Sequence, residues 1–472
     1  MSKHKKNSPI KASLALIIAS ILQNGIQIIT APIFTRILSP SDYGVTNLYN
    51  SWYNLIQIIV TFSLASGVIN NGLIDFKEDK DRFISSLQGL CCISTALYII
   101  LFIFYGDIIS KKIGLSPILI LFMLIHFPLN AAYGFWMLEQ KFQYKYKETV
   151  KISLITSIMS PILGYYGIKI SQSNLSTAKI IWSGLPIIIV GVMILLKQFI
   201  KGKCIINLKY WKYALSFNIP LLPHYLAQIV LASSDRIMIA NLVNNSSAGL
   251  YSIAYTIGSA IQIIFNGIGS SWYPYTYQKM SENDINSIRK KSTMLVIIGG
   301  ICSLGLISIT PEVMQILAPY EYYEAIYVVP PVVIGIYFTF LYGFFANIEF
   351  YYKKNVKVTI ASVIAATVNL ILNSVFIPIY GYIAAAYTTA ICYFILMVVH
   401  YLFMKSIDKR EIYDIRKMFF IVSIICVLSM FITYLYSYTL IRISLIGIIL
   451  LIILINGTKI LSVIKNKQII SQ

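Results

Sequence analysis

Runs of apolar residues about 20 positions long, parted by short polar stretches, recur along this chain almost from end to end. Wound as a helix, a run of that length crosses the ~30 Å hydrocarbon core of a bilayer. The pattern predicts fourteen such spans: 12–35, 45–69, 83–105, 116–137, 148–169, 180–199, 213–241, 249–272, 292–311, 326–349, 358–378, 382–404, 417–437 and 440–460. The gaps between them are too short for a soluble domain, so the expected fold class is an all-α polytopic membrane protein. The first run is too long for a signal-peptide core and lacks a small-residue cleavage site, so it is expected to remain as the first span.

The runs are not independent of one another. Leu55–Val60 and Ala260–Phe265 share Ile-Gln-Ile-Ile at a displacement of 205, and at the same displacement Gly44 matches Gly249. Tyr133-Gly134-Phe135 returns as Tyr342-Gly343-Phe344 at 209, each followed by a basic, tyrosine-rich loop. An even number of spans separates the copies, so both have one membrane orientation: a parallel repeat. The expectation is two six-helix lobes, 1–200 and 212–404, joined by a linker at 201–211, with 405–472 as an appended helix pair and tail, and a V-shaped cavity between the lobes.

Composition agrees. Hydrophobic residues make up 57% of the 472 and charged residues 12%, about half the share usual in a soluble domain. The formal charge of +20 would suggest nucleic acid in a soluble protein, but its placement excludes that partner. Of 38 lysines and arginines, six fall in the alternate connections taken as outward (Arg36, Lys111, Lys112, Lys169, Lys179, Arg442), Arg236 lies inside a span, and the rest sit on the side of the N-terminus. The positive-inside rule accounts for the excess and puts both termini in the cytoplasm. The six cysteines offer no outward pair for a disulfide, the four histidines show no metal-ligand spacing, and no phosphate-binding glycine loop is present. No catalytic residue, metal or cofactor is expected.

Within the spans, Ile219-Pro220-Leu221-Leu222-Pro223 predicts a helix break, two prolines three apart. Ionisable residues at membrane depth cost about 2.5–3.5 kcal/mol each at the centre and so need a cavity or a partner. Asp235 and Arg236 are adjacent in span seven and point about 100° apart on a helix, so each needs its own surroundings. Arg36 ends span one, either holding an anion or anchoring the helix; Glu349 closes span ten beside Lys353 and Lys354, where an interfacial position is expected. His126 and His224 are candidates for protonatable groups in the cavity, with backbone hydrogen bonding as the plainer alternative.

These residues sit in a recognisable order. Thr35–Val45 (TRILSPSDYGV), the stretch LSFNIPLLPHYLAQIVLASSDRIMIANLVNNSSAGLYSIAYTIG, then SSWYPYTYQKM, PEVMQILAPYEYYEAIYVVP and IPIYGYIAAAYTT resemble, over about 10–405, the Wzx-like oligosaccharide flippases of the multidrug/oligosaccharidyl-lipid/polysaccharide exporter superfamily. Asp75 departs from that pattern, standing where an arginine is common. The resemblance implies a flippase for an undecaprenyl-diphosphate-linked oligosaccharide in the bacterial inner membrane, serving O antigen, capsule or exopolysaccharide synthesis. It makes the lipid-linked glycan and membrane lipids the partners, with a polysaccharide polymerase and glycosyltransferases alongside. It would place the diphosphate on Arg36 and Arg236, with Asp235 and Glu349 coupling to a cation. A lipid II flippase of peptidoglycan synthesis, a cation-coupled drug antiporter and a scaffold for glycan-synthesis enzymes are the competing readings.

Overall fold

The computed structural model describes residues 9–143 and 145–444, and among them every regular element is helical. The first half of the chain forms α1 (Pro9–Ile37), α2 (Pro40–Val60), α3 (Val68–Asp75), α4 (Lys80–Ile113), α5 (Pro117–Phe142), α6 (Tyr146–Ile170) and α7 (Leu175–Gly202). The second forms α8 (Leu208–Asn218), α9 (Leu222–Leu242), α10 (Asn245–Ser259), α11 (Ile261–Ser281), α12 (Ile285–Ser308), α13 (Thr310–Leu317), α14 (Val329–Tyr351), α15 (Asn355–Tyr380), α16 (Tyr382–Ile407) and α17 (Ile415–Tyr434). Most of the expected span 440–460 lies outside the described residues.

Ten helical bodies among the described residues are long and apolar enough to cross a bilayer. The 21-residue α2 and 25-residue α6 are not among them despite their length. On α2 the reason is visible: Asn47, Asn50 and Asn54 interrupt its apolar run because they face an internal cavity. Large apolar side chains such as Ile103, Phe104, Met193 and Ile200 are at least two-thirds exposed, the outward apolar surface of a chain dissolved in lipid.

Local chemistry sets the helix ends. Ser39 accepts from the Asp42 amide at the start of α2, with Pro40 in the first helical position. Asn207 and Asn244 cap α8 and α10 in the same way. Gly114 ends α4 at φ +72°, a conformation that costs glycine little.

Two breaks divide what the apolar pattern reads as single spans. The first follows Pro220 and Pro223: α8 stops at Asn218, and one tight turn, Ile219–Leu221, precedes α9. The other divides the span expected at 45–69, between α2 and α3, where Phe62 and Ser63 adopt φ of +50° and Gly67 +133°. The two breaks meet. The Asn218 side-chain amide donates to the carbonyls of Phe62 (3.0 Å) and Ser63 (2.8 Å). α8, expected with the second half, packs on α3 and α4 of the first: Trp211 Nε1 donates to the Ser86 carbonyl (2.8 Å) and the Tyr213 hydroxyl to Asp75 (2.5 Å). α9 packs on α15 of the second half, Gln228 donating to Ser362 and Ser234 to Asn369, and its other side lies against α2 of the first. The chain thus crosses between its halves at the proline break.

At the opposite, charge-poor end the halves also touch. α2 and α10 cross at Gly44 and Gly249, the Thr35 hydroxyl donates to the Leu317 carbonyl (2.7 Å), and Tyr43 meets the edge of Tyr322 at 6.2 Å. The deepest packing is around α14, whose run of aromatic and β-branched residues is buried almost throughout and stacks Phe340 on Phe265 at 4.4 Å.

Candidate functional site

The helices enclose three adjoining chambers. The first, about 660 Å³, lies among α1, α2, α5, α6 and α7. The second, about 380 Å³, lies between the halves and shares Gln27, Asn47, Asn50 and Thr256 with the first. The third, about 670 Å³, lies in the second half and shares Tyr255, Gln262 and Asn266 with the second. Amides, hydroxyls and aromatic faces line all three, and no carboxylate does among the described residues. Such walls suit a polar ligand with many hydroxyls, or an anion, better than an organic cation.

Arg236 lines the second chamber. It donates to the carbonyl of Ala232 one turn back (2.8 Å), and its guanidinium lies over the Tyr255 ring at 4.4 Å. Stacking on an aromatic face stabilises the charge while leaving donors free for an anion. Among the described residues it forms no ion pair.

Asp235 points the other way and is 1% exposed. The Tyr251 hydroxyl (2.5 Å), the Thr389 hydroxyl (2.8 Å) and the Asn373 amide (2.7 Å) donate to its carboxylate. Asn373, Asn369 and Thr388 extend the network across α15 and α16. The carboxylate therefore sits in a polar pocket behind the cavity wall, and its one-residue offset from Arg236 sends the two charges to different environments.

The other candidates separate. Arg36 is exposed and lines none of the three chambers; it donates to the carbonyls of Pro32 and Ile316, both at 3.0 Å, tying α1 to α13. His126 lines the first chamber between Tyr53 and Phe122, both ring nitrogens buried and without partners. His224 stands at the start of α9 just past the break, its Nδ1 also without a partner. Glu349 departs from the interfacial position its two lysine neighbours suggest. It is completely buried, 2.9 Å from Nδ1 of an equally buried His400, which stacks on Tyr342. Packing between α14 and α16 encloses that end of the helix and leaves the lysines outside.

Two residues were not legible as site residues in the sequence. Lys179 reads as an outward-loop lysine, yet α7 begins at Leu175, so Lys179 lies inside the helix and lines the first chamber. The polar Asn174-Leu175-Ser176-Thr177 stretch, a helix-start pattern, was the available signal. His400 carries none of its own; the signal lay in Glu349, a carboxylate at span depth with no partner on its own helix.

A helical bundle holding a row of polar chambers defines the class: an all-helical membrane protein with the fold of the multidrug/oligosaccharidyl-lipid/polysaccharide exporters. It superposes on the lipid II flippase MurJ in its inward closed conformation with a TM-score of 0.70 at 18% identity, covering 94% of this chain and 97% of that one. An inward-facing transporter of the multidrug resistance MATE family gives 0.60 at 11%, covering 84% and 97%. Residues 10–280 match the family of polysaccharide biosynthesis proteins, more than half of the chain, and the chain belongs to that family. A curated relative, the probable low-salt glycan biosynthesis flippase Agl15 of Haloferax volcanii, is 23% identical over 424 residues, 84% of this chain and 83% of that protein.

Proposed function

We propose that the protein flips a polyprenyl-diphosphate-linked oligosaccharide, an undecaprenyl-linked repeat unit for O antigen, capsule or exopolysaccharide, across the cytoplasmic membrane by alternating access. The observation that carries this is Arg236: a guanidinium that forms no ion pair among the described residues, in a chamber of amides and hydroxyls at the seam between the halves. A glycan headgroup and its diphosphate cannot cross hydrocarbon unaided, whereas the lipid tail need never leave it. A cavity that is polar, uncharged by acids and provided with a cation meets the headgroup's need.

In this reading the basic end faces the cytoplasm, and the bodies that move are 1–200 and 212–404, with α8 carried by the first of them. Headgroup enters from that side while the Gly44–Gly249 crossing seals the other. Arg236 holds the diphosphate. Arg36, bonded to the Ile316 carbonyl, holds the seal shut. Asp235 couples transport to a cation that competes with its three neutral donors, and the Glu349–His400 pair, His126 and His224 are the further groups able to bind protons. Glycosyltransferases supply the substrate and a polymerase consumes the product. A drug antiporter for organic cations is disfavoured because no carboxylate lines the chambers among the described residues.

The test is reconstitution of the full chain in vesicles with a polyprenyl-diphosphate oligosaccharide in the inner leaflet, read by outer-leaflet accessibility of the glycan. The expected result is protein-dependent flipping that Arg236→Ala lowers about tenfold or more and Arg236→Lys restores in part. Flipping by Arg236→Ala at the wild-type rate would overturn the role of Arg236, and no flipping by the wild type would overturn the function.

A further inference from the structure

The first chamber holds a second cation for which the diphosphate gives no role. Lys179 places its ammonium 4.3 Å from the Phe34 ring and 5.1 Å from the Tyr43 ring, and among the described residues it forms no ion pair. Aromatic faces stabilise an ammonium but do not neutralise it, and with no carboxylate in the wall among the described residues, a ligand is the available source of a counter-charge.

The rest of this chamber has the chemistry of a carbohydrate site. Asn50 and Gln27 offer paired donors and acceptors, Tyr53 offers a flat ring, and the Tyr49 hydroxyl and both His126 nitrogens are buried without partners among the described residues. Arg236 stands apart in the neighbouring chamber, reached across the shared Asn47 and Asn50. A diphosphate on Arg236 would let the first sugars extend across those amides toward Lys179.

We infer that the first chamber is a sugar-binding subsite selective for a glycan bearing a carboxylate, a uronic-acid-type residue, with Lys179 as its counter-ion. The inference rests on the flippase reading for its place in transport, but the binding can be measured without any flipping.

The full-length protein in phospholipid nanodiscs is titrated with methyl glucuronide and with methyl glucoside, followed by saturation-transfer NMR. The expected result is glucuronide binding tighter than glucoside by about tenfold, the scale of one charge-assisted hydrogen bond. Lys179→Gln should abolish the preference, and Lys179→Arg should retain it. Equal affinities in the wild type, or a preference that survives Lys179→Gln, would overturn the proposal. So would displacement of glucuronide by inorganic pyrophosphate that Lys179→Gln abolishes but Arg236→Ala does not, which would make Lys179 a diphosphate contact. A wild type that discriminates the two sugars yet flips no lipid-linked glycan would sink the flippase reading and leave the subsite standing.

Discussion

Gly44 and Gly249 face each other across the charge-poor end of the molecule, each fitted against the other's helix start. A methyl on Gly44 would come 1.8 Å from the Asn245 carbonyl oxygen, and one on Gly249 would come 2.1 Å from that of Pro40. The relation is reciprocal: the 205-residue displacement that pairs Gly44 with Gly249 also pairs Pro40 with Asn245. The repeat visible in the sequence thus returns as a local two-fold contact, in which only glycine lets the two backbones approach.

Substituting either glycine is therefore a test of the seal. Gly249→Val overpacks only the conformation in which α2 and α10 cross, at about 1–3 kcal/mol, and so shifts the closed-to-open ratio by about one to two decades. With Thr256→Cys as reporter in the cavity, a membrane-impermeant thiol reagent added at that face should label the Val variant faster than its glycine parent. Equal rates would mean that the crossing does not gate the cavity.

Asn218 joins the two broken spans. It is fully buried, and Asn218→Ala leaves the Phe62 and Ser63 carbonyls without their donor, at about 1–3 kcal/mol for each unsatisfied group. Thermal unfolding in detergent should fall by several degrees, and proteolysis should move to the segment at 61–67. Unchanged stability would indicate that the strained turn is held by other contacts.

These two sites also mark how far the sequence could be read. The all-helical class and the break at Pro220 and Pro223 follow from run length and proline chemistry, both local properties. The break before α3 does not. Its residues, Thr-Phe-Ser-Leu-Ala-Ser-Gly, contain no proline, and the positive φ of Phe62 is held by an amide 156 positions away. Lys179 was misplaced for a related reason: charge sets a span boundary in sequence, whereas a cavity admits charge inside the helix. Glu349 became intelligible only with His400, 51 residues on.

The Glu349–His400 pair gives a double-mutant cycle. Removing one partner of a buried hydrogen-bonded pair leaves the other unsatisfied, at about 1–3 kcal/mol, while replacing both with apolar groups of similar shape costs much less. Glu349→Ala and His400→Ala should each lower the melting temperature strongly, and Glu349→Leu with His400→Phe should lower it less than the sum of the singles. Additive losses would show that the two groups do not act as a pair.

At the basic end, outside the spans, hydrogen bonds from Arg410 to Asp408 hold that carboxyl down at about 2, with help from the Tyr352 hydroxyl. A depressed folded value stabilises the protein above the ordinary value of 3.8, and the contribution disappears as the pH falls through about 2. The difference in melting temperature between the wild type and Asp408→Asn should therefore be full at pH 6, shrink below about pH 4 and approach zero near pH 2. A difference independent of pH would locate the effect in packing.

Asp235 tests coupling separately from binding. Its carboxylate accepts from Tyr251, Thr389 and Asn373, so Asp235→Asn keeps the volume but turns one acceptor into a donor facing donors, a loss of about 1–3 kcal/mol. Asp235→Glu keeps the charge and shifts it by one methylene. If Asp235 reads a cation, flipping by the Asn variant should no longer respond to an imposed sodium or proton gradient, while pyrophosphate should still bind at Arg236, whose side chain faces the chamber. The Glu variant should keep a weakened response. A gradient response undiminished in Asp235→Asn would move the coupling site elsewhere, with the buried Glu349–His400 pair the next to substitute.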